Sequence, residues 1–174
     1  MRRLLAAIAA AAILATSFAL AGCGGTDPRL EEPRIRNLMR DLNRALYSND
    51  KEKVKTFVLS TAGQGNNPVG AKDADTPEGR DHIQDGNRRN LRQILVDAGI
   101  MKPADLKGNP VPDERALDRF DSALRIVVQD TNATGKIDIE PVGTGKRAEV
   151  VTFKFVKSES GWHVYDFERE MKAK

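Results

Sequence analysis

His163, Tyr165 and Asp166 are the residues whose types and spacing come nearest to acid–base chemistry in this chain. An imidazole, a phenol and a carboxylate within four positions could exchange protons with a substrate held beside them. They lie in Trp162-His163-Val164-Tyr165-Asp166-Phe167, which reads as a strand, and a strand sends alternate side chains to opposite faces. His163 and Tyr165 share parity with Phe167, whereas Trp162, Val164 and Asp166 take the other side. Both rows carry aromatic or aliphatic groups, so the pattern leaves open which one faces a pocket. The plainer alternative is that Trp162, Val164, Tyr165 and Phe167 simply pack, with His163 near the edge.

Other constellations point to solvated surface. Asp73, Asp75, Glu78, Asp81 and Asp85 crowd one stretch. Counted from Asp73 as a calcium loop, Pro77 would fall on a ligand position, Glu78 where glycine is needed, and Gln84 where a bidentate glutamate belongs. His82 and His163 are the two histidines, too isolated for a zinc site. No Gly-x-Ser-x-Gly elbow occurs. Gly143-Thr144-Gly145-Lys146 imitates a phosphate loop but joins two strand signals, where it reads as a hairpin turn. Arg88, Arg89 and Arg92 could face an anionic membrane, yet Asp81, Asp85 and Asp97 interleave with them, so an ordinary solvated helix face is expected. No metal or cofactor is implied.

The elements that must position these groups follow from periodicity. Ile35, Leu38, Met39, Leu42, Ala45 and Leu46 recur at three- and four-residue steps, which predicts an amphipathic helix from Arg34 to Tyr47. Ser48-Asn49-Asp50 stops it and caps a short helix through Val54, Phe57 and Val58. Residues 60–80 lose periodicity and read as a long surface loop. Helix returns from about Asp81 to Ala98, with Gly99 as its cap. Another opens at Asp113 and carries Ala116, Leu117, Phe120 and Leu124, with a change to strand possible near Ile126-Val127-Val128. Alternation over Ile137–Ile139, Arg147–Lys157 and Trp162–Glu168 then predicts an antiparallel meander. Helices first and strands last make an α+β domain.

Ahead of this domain, Arg2-Arg3 precede an uncharged run from Leu4 to Gly22. The two cations would stay on the cytoplasmic side while the run enters the membrane. Its length lies between a signal-peptide core of about 7–15 residues and a spanning helix of about 20. The small Ala21 and Gly22 decide the matter, because a peptidase cleft must accept the extended backbone before Cys23. Leu20-Ala21-Gly22-Cys23 resembles the lipobox of bacterial lipoproteins. The resemblance implies cleavage between Gly22 and Cys23, with fatty acyl chains such as palmitate anchoring Cys23 to a membrane of the cell envelope. Residues 1–22 are then a signal peptide, 23–33 a flexible tether of glycine and proline, and 34–174 one globular domain on the extracytoplasmic side. Fully extended, that tether reaches on the order of 35 Å.

The chain holds 28 Lys+Arg against 25 Asp+Glu. Two of the cations leave with the signal, so the remainder is nearly neutral and has no electrostatic mandate for nucleic acid. Cys23 is the only cysteine, which excludes a disulfide within the chain.

Two stretches carry a second resemblance: Leu46-Tyr47-Ser48-Asn49-Asp50 with Glu52 to Val58, and Ile137 to Glu168 with Gly161-Trp162-His163-Val164. Together they are similar to the nuclear-transport-factor-two-like superfamily, in its small bacterial lipoprotein branch. That implies a cone-like domain, with N-terminal helices on a curved C-terminal sheet of three to four antiparallel strands. The long loop at 60–80 departs from the compact pattern. The function expected is non-catalytic: a lipid-anchored module that binds a small apolar ligand or an envelope protein. The alternative is a small pocket enzyme of the isomerase or dehydratase kind using His163, Tyr165 or Asp166.

Overall fold

The Asp27 carboxylate accepts the Arg29 amide at 2.9 Å, and Pro28 fills the first helical position, where a missing N–H is harmless. Helix α1 (Pro28–Tyr47) starts there in the computed structural model, which describes residues 27–59, 76–140 and 148–172. All six apolar positions of its predicted stripe are buried. Of the tether expected over residues 23–33, residues 28–33 are instead helical, and 23–26 lie outside the described residues. Pro33 sits on the exposed face, and Glu31, one turn before Ile35, extends the buried stripe backwards.

Helix α2 (Lys51–Phe57) is capped by the Asp50 side chain, which accepts the Lys53 amide at 3.0 Å. Beyond it, Val58 forms a parallel bridge to Val164, and the Leu59 amide donates to the Val164 carbonyl at 2.9 Å. Helix α3 (Pro77–Asp97) begins earlier than the periodicity suggests, inside the stretch expected as loop. Thr76 accepts the Gly79 amide and Pro77 takes the first position. Gly99, at φ +68°, closes the helix, with the Ile100 amide donating back to the Leu95 carbonyl. A 3-10 turn (Pro103–Lys107) and helix α4 (Glu114–Ala123) follow.

Leu124 ends α4, and the β-branched Ile126-Val127-Val128 become strand β1 (Arg125–Gln129). A tight turn at Asp130 (φ 57°) leads into β2 (Asn132–Ile139), then come β3 (Glu149–Ser158) and β4 (Gly161–Met171). The four strands form one antiparallel sheet in the order β1-β2-β3-β4, so the α+β class with helices before sheet holds. The hairpin turn expected at Gly143–Lys146, and residues 60–75 of the expected loop, lie outside the described residues.

One face of the sheet packs on the helices through Ala133, Ile137, Val151, Phe153, Phe155, Trp162, Val164 and Phe167, all buried. Phe120 of α4 meets Phe153 edge-on, with centroids 6.3 Å apart. Gly135 lets the Phe155 ring lie over β2: a Cβ there would stand 3.0 Å from that ring. The opposite face of the sheet carries Lys136, Thr152, Lys154 and Asp166.

Candidate functional site

A β-bulge answers which side of β4 is interior. Lys154 pairs with Asp166 while Phe155 pairs with Val164, so Tyr165 is an extra residue and the alternation reverses around it. Trp162, Val164 and Phe167 all face the core as a result. This corrects the expectation that His163 and Tyr165 share the face of Phe167.

The candidate acid–base residues are engaged separately. His163 Nε2 lies 3.0 Å from Ser160 Oγ and 3.1 Å from Ser158 Oγ, within the β3–β4 hairpin. Those two hydroxyls are 2.9 Å apart, so the three side chains knit the turn. Asp166 accepts the Lys154 ammonium at 3.0 Å through one oxygen and the Phe167 amide at 2.9 Å through the other. Hydrogen bonds to Glu168 and then Asp166 raise the Lys154 pKa above its ordinary value. Tyr165 is partly exposed at the bulge. None of the three lines either of the clefts described below.

The buried charge that sequence reasoning missed is Glu31. Its side chain is 5% exposed, and both oxygens are occupied. Oε2 accepts the Trp162 indole N–H at 2.6 Å; Oε1 accepts Lys157 at 2.9 Å and Arg34 at 2.8 Å. The Trp162 hydrogen bond, then that from Lys157, hold the carboxyl below the usual carboxylate range against the opposing effect of burial. A carboxylate with its acceptors filled and its pKa depressed is a poor base. Its chemistry here is to clamp the start of α1 onto the last hairpin. The sequence signal was the spacing 31, 35, 38, 42, masked by the prolines on either side.

The basic stretch on α3 is not a solvated face throughout. Arg92 is buried and donates to the carbonyls of Asp105, Leu106 and Gly108 at 2.8, 3.1 and 3.1 Å. Burial lowers its pKa, and its role is to hold the 3-10 turn against α3. Arg88, only 11% exposed, bonds Asn49 and Asp85; Arg89 is exposed. Of the acidic group, Asp81 pairs with Lys55, and Asp85 with Lys51 and Arg88, while Asp73 and Asp75 lie outside the described residues. Among the described residues no three His, Cys, Asp or Glu side chains gather to hold a metal.

Two of the clefts among the described residues are roomy and open to solvent. The first, of about 230 Å³, lies between α4 and the end of β2. Buried Ile100, Phe120, Ile137 and Ile139 form its floor, and Arg119, Asp138 and Glu140 its polar rim. The second runs between α3 and β4, lined by Asn90, Gln93, Phe167 and Arg169. Arg169 there is fixed by Asp97 at 2.8 Å and Glu149 at 2.7 Å. No described helix is long and apolar enough to cross a membrane. Gly22 and Cys23 lie outside the described residues.

No protein-family model matches the chain. A search of curated proteins also finds no match. Among solved structures, the chain is similar to an NTF2-like protein with a cystatin-like fold from Novosphingobium aromaticivorans, at 15% identity and a TM-score of 0.43, over 91% of this chain and 87% of that one.

Proposed function

We propose that this chain is a bacterial lipoprotein whose folded part is a non-catalytic binding module of nuclear-transport-factor-two-like type, held on the extracytoplasmic face of an envelope membrane. In this reading residues 1–22 direct export, the Gly22–Cys23 bond is cut, and Cys23 carries the lipid. The observation that carries it is position. Cys23, which closes Leu20-Ala21-Gly22-Cys23, stands four residues ahead of Asp27, the cap of the first helix, which is the place a lipid attachment point ahead of a folded domain would take.

The module binds through its surface. The cleft floored by Ile100, Phe120, Ile137 and Ile139 suits a small apolar ligand with one polar end facing Arg119. An envelope protein is the other occupant this reading admits. The pocket-enzyme reading draws no support from His163 and Asp166, whose bonds serve the hairpin and an ion pair.

The test is Cys23→Ser in the bacterial host with palmitate labelling, membrane fractionation and intact mass. The wild type should be labelled, shortened by the signal and membrane-bound, while the variant is unlabelled and uncut. A variant that is still cut and fractionates like the wild type would end the reading. Native mass spectrometry of the wild-type protein then reports any ligand carried with it.

A further inference from the structure

We infer that the first turns of α1 lie directly on the headgroups of an anionic bilayer, with Leu30 and Arg29 as the contact. The inference rests on the lipid-anchor reading of Cys23 and concerns how the domain then sits.

The length of chain between anchor and fold sets the distance. From Cys23 to Asp27 is four residues, about 14 Å at full extension. The headgroup layer alone occupies roughly 5–8 Å on each side of a bilayer. A domain tethered so closely is held within about 10 Å of the headgroups, and the end where α1 begins is the part nearest to them. The Glu31 clamp keeps that end folded, since it ties the first turn to Trp162 and Lys157.

The residues presented there suit the role. Leu30 is 63% exposed, although it is a large apolar side chain. Arg29, Pro33 and Arg34 are exposed beside it. Of the acids in these turns, Glu31 is turned inward and matched by Arg34 and Lys157, Glu32 is paired with Arg36 at 2.8 Å, and Asp27 accepts the Arg29 amide as the helix cap. An apolar side chain flanked by cations is the composition that partitions to an anionic interface. The far end of α1 lies about 30 Å away by helix rise. Arg44 bonds Glu114 there at 2.8 Å, close in sequence to Val111, which is 87% exposed.

The experiment uses full-length protein with its lipid, in vesicles of phosphatidylethanolamine and phosphatidylglycerol. A dye is placed on Pro33→Cys or on Val111→Cys, the Cys23 thiol being blocked by lipid. Position 33 should lose quenching by an aqueous quencher and gain it from a headgroup quencher, while position 111 stays fully open to water. Adding Arg29→Glu and Leu30→Ser should restore aqueous quenching at 33 without releasing the protein. Equal aqueous quenching at 33 and 111 overturns the inference, as does protection at 33 that survives the double change. Intact mass separates the two levels: a chain without lipid removes the anchor reading and this inference together, whereas a lipidated chain open at position 33 removes the inference alone.

Discussion

The Trp162 indole donates to the Glu31 carboxylate at 2.6 Å across 131 residues of chain, joining the first turn of the first helix to the last hairpin. Lys157 reaches the same carboxylate from β3 at 2.9 Å, so both strands of that hairpin hold one side chain. Fixing α1 at its N-terminal end in this way sets where folded protein starts relative to Cys23.

Removing the acceptor should unseat that end. Glu31→Ala leaves a buried indole N–H and Lys157 without their partner, and a loss of about 3 kcal/mol is expected. Glu31→Gln keeps an oxygen for Trp162 and should lose only about 1 kcal/mol. Urea unfolding followed by the fluorescence of Trp162, the sole tryptophan, reads both. Identical midpoints for the three proteins would contradict the clamp.

The same carboxylate makes stability depend on acid. Its folded pKa is depressed, so its contribution is complete above the ordinary unfolded value, about 4.3, and is lost as pH falls through the lower folded value. Lys154 has the opposite sign. Its raised pKa contributes fully below about 10.4 and is lost as pH climbs through the folded value. Thermal melts against pH should show a plateau with a fall on each side. In Glu31→Gln the acid fall should shrink while the alkaline one stays, and an unchanged acid limb would rule out Glu31 as its source.

Gly135→Ala tests the approach of β2 to the core. Alanine in a strand gains roughly 0.5–1 kcal/mol over glycine from chain entropy alone. Here its Cβ would stand 3.0 Å from the Phe155 ring and 3.2 Å from Leu124, both buried. Overpacking of about 1–3 kcal/mol should win, so the melting temperature should drop. A rise would mean the ring can move aside.

Arg92→Met keeps the apolar stem but removes three hydrogen bonds to the carbonyls of Asp105, Leu106 and Gly108. A loss of about 2 kcal/mol is expected, concentrated in the 3-10 turn. Hydrogen exchange should quicken at the Asp105 and Gly108 amides while α1 keeps its protection. Uniform quickening across the domain would show that Arg92 supports the whole core instead.

How much could be read from the chain depended on whether the signal was local. The α1 stripe, the Asp50 cap, the Gly99 stop and the alternation of β3 were all visible, because each is written within a few residues. Residues 28–33 were misread because two prolines outweigh a stripe whose buried member is a glutamate. Distant Trp162 and Lys157, together with Arg34, make that burial tolerable. The start of α3 was missed although Thr76 and Pro77 signal it, since the apolar period begins later. The bulge at Tyr165 has no local signature at all. It arises from the pairing of β4 with β3, and it decides which way His163 and Asp166 face. Arg92 looked like surface because an arginine run says nothing about carbonyls thirteen to sixteen positions on.

The meander order of the sheet bears on biogenesis. Every strand pairs with its neighbour in the chain, so the sheet can zip up as it is delivered, hairpin by hairpin. The opening helix has no such liberty. A polypeptide made from its amino end exposes Glu31 early and must leave that charge in water until the closing hairpin arrives. The start of the first helix is thus among the first parts synthesised and the last to be locked.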